Sequence, residues 1–249
     1  RHYANGLDAA ARRRRYPSLA RFSRDIGLSE ETLIASFELE DRFHDLVLAE
    51  PCMDKRRQLN DEVYTKTFEL YGSVFDIDLE TTSSPKDQLV ALLRPELEGR
   101  SILDIGCGTG DFLLSCARTI DHGRLLGLDV FAKNLDVPAR QLQFRRGDIV
   151  RFTTGDPFDV AVTDNVYEHI APADIADHLA SIHRALKPGG TVVILTPHRA
   201  FGPWDVTRIV DNSYSGWVPA RGTHINESTY RDVAGQLRSS GFGDLRSIH

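Results

Sequence analysis

Ile102-Leu103-Asp104-Ile105-Gly106-Cys107-Gly108-Thr109-Gly110 decides the fold of this chain. A short apolar strand runs into three glycines at alternate positions. Such a turn has no side chains on its inner face, so a nucleotide-like ligand can lie against bare backbone. The spacing G-x-G-x-G is one residue tighter than the dinucleotide fingerprint G-x-G-x-x-G, which seats a pyrophosphate on a helix N-terminus. Asp104 stands two places before the first glycine. A carboxylate there suits a ligand carrying a cationic amine and would repel a pyrophosphate.

Four further stretches fall in register with this turn. Asp129 ends the strand-like run Arg124-Leu125-Leu126-Gly127-Leu128, 129 − 106 = 23 positions after the first glycine. An acid at that distance, at the end of the second strand, can accept both ribose hydroxyls of a nucleoside. Gly147-Asp148-Ile149 follows a third strand expected over 141–144. Phe158 to Asp164 reads as a fourth strand, leading into Asn165-Val166-Tyr167-Glu168-His169-Ile170. Leu186-Lys187-Pro188-Gly189-Gly190 then stops a helix ahead of a buried strand, Thr191 to Leu195.

Together these motifs resemble the class I S-adenosylmethionine-dependent methyltransferases, from about Pro85 to the C-terminus. The resemblance implies a doubly wound parallel Rossmann-like sheet and S-adenosylmethionine as cofactor, with S-adenosylhomocysteine as product. It places the cofactor at Asp104, Gly106, Cys107, Gly108 and Gly110, with Asp129 and Val130 at the ribose. Asp148 and Ile149 would hold the adenine, and Asp164 and Asn165 would line the sulfonium side. The Glu168-His169-Ile170 run is similar to the signature that follows the family's fourth strand.

The alternation of helix and strand after Pro85 independently implies a parallel sheet with ligands at the carboxyl ends of its strands. Ahead of it lies a basic arm over 1–28, containing Arg12-Arg13-Arg14-Arg15 and expected to be a solvated helix or a mobile arm. Residues 29–75 read as an N-terminal helical lid. Ser29 caps a first helix whose apolar positions Leu33, Phe37, Leu39, Phe43, Leu46 and Val47 recur at helical spacing. Pro51 separates it from a second helix over about 54–71. A polar connection over 72–85 follows, and the methyltransferase domain is assigned to 85–249.

Within that domain, 197–225 is a long insertion rich in Pro, Gly and aromatics, expected beside the active-site mouth. Its Trp204 and Trp217 could stack on a flat substrate or a sugar face, or form the insertion's own core, the favoured reading. A helix over about 227–239 and a strand from Phe242 should complete the pattern, one strand short of the family's usual number. The chain opens on Arg1 instead of Met, which implies that residues precede it.

Composition narrows the function. At 249 residues, with 41% hydrophobic and 27% charged residues, the chain can bury a substantial core. A net charge of −6 argues against nucleic acid as main partner. No apolar run approaches the ~18 residues of a membrane span. Cys52, Cys107 and Cys116 form no C-x-x-C pair, which suits a reduced, cytoplasmic setting. Cys107 reads as a small turn residue, not a nucleophile.

Methyl transfer asks a protein mainly to align and desolvate, and a hydroxyl acceptor also needs a base. The candidate bases are His169, His198 and His224, in loops after strands four and five and at the end of the insertion; Glu168 and Tyr167 beside His169 could orient the acceptor. A divalent metal held by His169, Asp164 and His198 or His224 is a disfavoured alternative. The expected reaction is O-methylation of a small molecule or saccharide. N- or C-methylation, an idle cofactor-binding partner protein and an NAD(P)-dependent oxidoreductase are the alternatives. Acceptor identity and oligomeric state have no motif in the sequence.

Overall fold

The computed structural model describes residues 8–71, 84, 86–130 and 142–248. The chain divides into two compact units. One comprises Arg1–Asp76 with Pro197–Tyr230, the other Ile77–Thr196 with Arg231–His249. The expected connection over 72–85 lies almost entirely outside the described residues, as does Gln141 of the third strand.

The second unit holds the sheet. Its strands are β1 (Ile102–Ile105), β2 (Leu125–Asp129), β3 (Leu142–Arg146), β4 (Phe158–Asp164) and β5 (Leu186–Leu195), in the order β3-β2-β1-β4-β5. Every pairing is parallel. The helices of this unit are α5 (Lys86–Leu97), α6 (Asp111–Thr119), α7 (Ile175–Ala185) and α8 (Tyr230–Ser239), the last beginning at the unit boundary. Strands buried on both faces read as continuous apolar runs, and β1 is buried at all four positions. Val90, Leu93 and Leu97 of α5 pack with Leu113 and Cys116 of α6 against Ile102, Leu125 and Val162 of the sheet. Asp87 clasps the two helices by accepting hydrogen bonds from Ser115 and Arg118.

Two expectations fail here. Residues 242–248 form no strand. None of its residues is buried, and Phe242 sets its ring edge-on to His183, 5.3 Å between centroids. The Pro-Gly-Gly run does not stand between helix and strand: α7 stops at Ala185 and β5 already begins at Leu186. An irregularity between Phe158 and Val160 absorbs the extra residues of β5.

The first unit is helical, with α1 (Ala9–Arg15), α2 (Leu19–Ile26), α3 (Glu30–Ala49) and α4 (Met53–Tyr71). Ser29 caps α3 as expected, its Oγ accepting the Thr32 N–H at 3.0 Å. The basic arm is not merely solvated. Tyr16, Leu19 and Phe22 are buried with Leu33, Ile34 and Phe37 of α3 and with Val206 and Ile209. Leu46, by contrast, is 44% exposed. The four arginines crowd the last turn of α1, where cations face the negative end of the helix dipole. Among the described residues no helix is long and apolar enough to cross a membrane.

Segment 205–227 folds onto α3 within this unit. Asp205 accepts the N–H groups of Thr207 and Gly222, and Glu40 accepts that of Thr223. His44 Nδ1 meets the carbonyl of Gly222 at 2.9 Å, and Arg221 pairs with Asp41 and Asp45. A Cβ on Gly222 would sit 2.6 Å from both the Asp205 and Glu40 oxygens, which explains the glycine. Trp204 packs against Tyr214, but Trp217 is 88% exposed and belongs to no core.

Candidate active site

The glycine turn closes the central strand at the point where the strand order reverses, where open α/β sheets bind ligands. Gly106 and Cys107 both donate to the carbonyl of Leu128, at 2.7 and 3.2 Å, which pulls the turn onto β2. Gly106 and Gly108 have φ of 75° and 53°, and a Cβ on Gly106 would lie 2.3 Å from Val166 Cγ2. Gly110, at φ 90°, is the N-cap of α6. Cys107 is 8% exposed and fills the space over Gly127, whose own Cβ would strike its Sγ at 2.7 Å. Burial pushes its thiol pKa up.

Three carboxylates face one region of this unit. Asp104 is 2% exposed, and its carboxyl makes no hydrogen bond among the described residues. Burial, then the charges of Asp164 and Asp129, raise its pKa to about 8, against the pull of Lys86. Asp129 accepts the Gly108 N–H at 2.8 Å and so ties turn to strand. Asp164 is ion-paired with Lys86 and accepts from Asn165 Nδ2 at 3.0 Å. Lys86, unmarked by any motif, is the residue that sequence reading missed here. A buried carboxyl without a hydrogen-bond partner, beside backbone that no Cβ obstructs, fits a ligand that brings a cationic amine and a nucleoside.

Val130 follows Asp129 and is half-buried. Asp148 accepts the N–H groups of Val150 and Arg151 at 2.9 and 2.6 Å and shapes its own loop, while the Ile149 carbonyl meets His178 Nδ1 at 2.7 Å. Asn165 sits at φ 54°, a left-handed conformation that asparagine tolerates. Its N–H donates to Leu195 at 3.0 Å, which fixes the loop after β4.

Tyr167 is fully buried, with its hydroxyl on Gln236 of α8. Glu168 is also fully buried and accepts from Thr196 Oγ1 at 3.0 Å. His169 is half-buried at the end of a 3₁₀ turn, Tyr167–His169.

His198 and His224 belong to the helical unit. His198 Nδ1 accepts the Ala200 N–H at 3.1 Å and caps a 3₁₀ turn, Arg199–Phe201. His224 Nδ1 lies 2.9 Å from Glu227 Oε1, in side chains only 11% and 5% exposed. The same Glu227 oxygen accepts the Trp204 N–H at 2.7 Å. Glu227 was missed in the sequence, although its spacing of three from His224 was a usable signal.

A family model for a methyltransferase domain matches residues 80–246. The chain is 32% identical over 143 residues to the ubiquinone biosynthesis O-methyltransferase of Brucella ovis, 54% of this chain and 56% of that protein. It is 31% identical over 112 residues to the demethylmenaquinone methyltransferase of Symbiobacterium thermophilum, 41% of this chain and 45% of that protein. The chain thus spans about half the length of these curated relatives. Human N-acetylserotonin methyltransferase, solved in complex with S-adenosylmethionine, shares the fold at TM-score 0.50 and 19% identity, over 74% of this chain and 50% of that one. The family match spans the parallel sheet whose central strand ends in the acid-and-glycine turn, so the chain belongs to the class I S-adenosylmethionine-dependent methyltransferases.

Proposed function

We propose that this chain transfers a methyl group from S-adenosylmethionine to an oxygen of a small-molecule acceptor, with His224 as general base. The His224–Glu227 pair carries the reading. A carboxylate at Nδ1 keeps the imidazole proton on that nitrogen, so the basic lone pair is on Nε2. After the ring takes a proton, the same carboxylate stabilises the imidazolium. His198 is arranged the other way: its Nδ1 accepts a backbone N–H, so its proton sits on Nε2, which makes it the poorer base. His169 and Glu168 are assigned to support the loop after β4, not to remove a proton.

The bound cofactor supplies an electrophilic methyl on a sulfonium centre. Asp104 receives its amine, Gly106, Cys107, Gly108 and Gly110 present backbone to it, and Asp129 with Val130 takes the ribose. Asp148 and Ile149 form the adenine side, and Asp164 and Asn165 the sulfonium side. The acceptor must lose a hydroxyl proton as the new bond forms, and that is the task of His224. A phenolic or enolic hydroxyl is the acceptor class we favour over a saccharide, because one curated relative is named for ubiquinone biosynthesis and the other for demethylmenaquinone. The metal-dependent alternative is weakened by Asp164, whose carboxylate already engages Lys86 and Asn165.

The test is turnover of labelled S-adenosylmethionine against a panel of catechols, hydroxyquinones and sugars. His224→Gln should lower kcat by roughly 10²-fold or more while S-adenosylhomocysteine binding is unchanged. Glu227→Gln should lower it too, and His198→Gln should have little effect. Full turnover in His224→Gln would remove the base from the mechanism. Cofactor binding with no product from any acceptor would make the chain a cofactor-binding partner of another enzyme.

A further inference from the structure

The crossover from β3 to β4 contains no helix: residues 147–157 are irregular. In a doubly wound sheet each parallel crossover normally lays a helix on one face. Here part of the sheet's α7 face lacks that cover. A cavity of ≈440 Å³ lies there, with Leu128 of β2 and Arg145 of β3, partners across the sheet, among its lining residues. Phe152, Arg151 and Arg184 also line it.

The cavity lies away from Asp104, and Asp148 at its rim is the one lining residue it shares with the cofactor assignment. Asp104 is in register with Gly127 and Phe144, whereas Leu128 and Arg145 are one residue further on. Side chains alternate faces along a strand, so the cavity opens on the face opposite the one Asp104 points to.

The charges of the lining are unevenly matched. Asp177 is paired with Arg151 at 2.9 Å, and both oxygens of Asp148 accept backbone N–H groups. Arg145 donates to the Thr153 carbonyl at 2.6 Å, and Arg184 to Ser181 Oγ at 2.9 Å, both neutral acceptors. Among the described residues neither guanidinium has a carboxylate partner. The lining therefore keeps a positive charge in a chain whose net charge is −6.

We propose that this cavity binds a small organic phosphate monoester. Arg145 and Arg184 take the phosphoryl group, and the carbon body lies along Thr153 and the edge of Phe152. A single carboxylate satisfies one guanidinium fork and would leave the other unmatched, whereas a phosphate dianion has oxygens for both. The volume exceeds what a bare phosphate ion fills, which is the reason for assigning an ester.

The proposal is independent of methyl transfer and is tested by binding alone. The full chain is titrated calorimetrically with glucose 6-phosphate, inorganic phosphate and glucose, with and without saturating S-adenosylhomocysteine. Saturable binding of glucose 6-phosphate is expected, tighter than inorganic phosphate and absent for glucose, and the same with S-adenosylhomocysteine present. The double variant Arg145→Gln, Arg184→Gln, checked for an unchanged melting curve, should bind at least roughly tenfold more weakly. Lys187→Gln, which removes an exposed cation elsewhere, should bind normally. No saturable binding, undiminished binding in the double variant, or displacement by S-adenosylhomocysteine overturns the site. Inorganic phosphate binding as tightly as the ester overturns the assignment of an ester.

Discussion

Gly106 and Gly108 share a positive φ but differ in what a methyl group would meet. At Gly106 it collides with Val166, while at Gly108 nothing lies within 4 Å. Gly106→Ala must therefore bear both left-handed strain and a displaced Val166, whereas Gly108→Ala bears strain of about 1–2 kcal/mol only. Gly106→Ala should cost more stability and abolish S-adenosylhomocysteine binding, and urea denaturation with calorimetry measures both. Asp104 gives a second residue-scale prediction. Its pKa of about 8 keeps it mostly protonated near neutral pH until a cationic amine favours the carboxylate. Cofactor binding should then release up to about one proton, seen as a binding enthalpy that changes with buffer ionisation heat. The release should vanish above pH ~9, where the acid is already ionised, and in Asp104→Asn.

The helix α2 shows how an element can be misjudged from charge. Its surroundings in sequence are dominated by arginine, yet Leu19 and Phe22 are buried against α3. Phe22→Ala should cost about 3–5 kcal/mol, since a buried aromatic is lost and a cavity left. Arg14→Ala, on the exposed side of α1, should stay within about 0.5 kcal/mol of wild type. Denaturant midpoints separate the two, and equal small effects would mean that α2 is not part of a core. The helices α3 and α4 were legible because their apolar positions and the Ser29 cap are local signals. The strand expected from Phe242 was not, because a short terminal strand exists only if a neighbouring edge receives it.

At the scale of the whole molecule, buried and exposed carboxyls pull stability in opposite directions with pH. Glu40 is buried, and desolvation, then the nearby charge of Asp205, raises its pKa from 4.5 to about 7. Ser36, Thr223 and His224 act against the rise, and Tyr71 packs against the same Ser36. The folded state therefore holds a proton that the unfolded chain has lost, and stability falls as pH rises from 4.5 towards 7, by at most about 3 kcal/mol. Asp104 acts in the same sense between 3.8 and about 8 in the absence of cofactor. Asp159, held down to about 2 by Lys187 and Ser101, adds stability that is lost as pH drops below 3.8. His178, held down to about 4 by burial, works against Glu40 between pH 4 and 6.5, so the cofactor-free chain should weaken towards neutrality mainly through Asp104. Glu40→Gln should flatten that decline in urea midpoints taken across pH, and an unchanged slope would show that Glu40 does not hold the proton.

The sequence by itself determined the parallel sheet, the cofactor turn and the two long N-terminal helices. Glycine spacing, hydrophobic period and capping act over a few residues, so they can be read without knowing what packs where. Only the tertiary structure decided that the arginine-rich arm carries a core helix, that Lys86 partners Asp164 across 78 positions, and that no strand forms after Phe242. The same holds for the different Nδ1 partners of His198 and His224, a backbone N–H in one and the Glu227 carboxylate in the other. Each depends on which distant or loop-borne group reaches a side chain, and that is settled by packing and desolvation, which leave no local pattern in the chain.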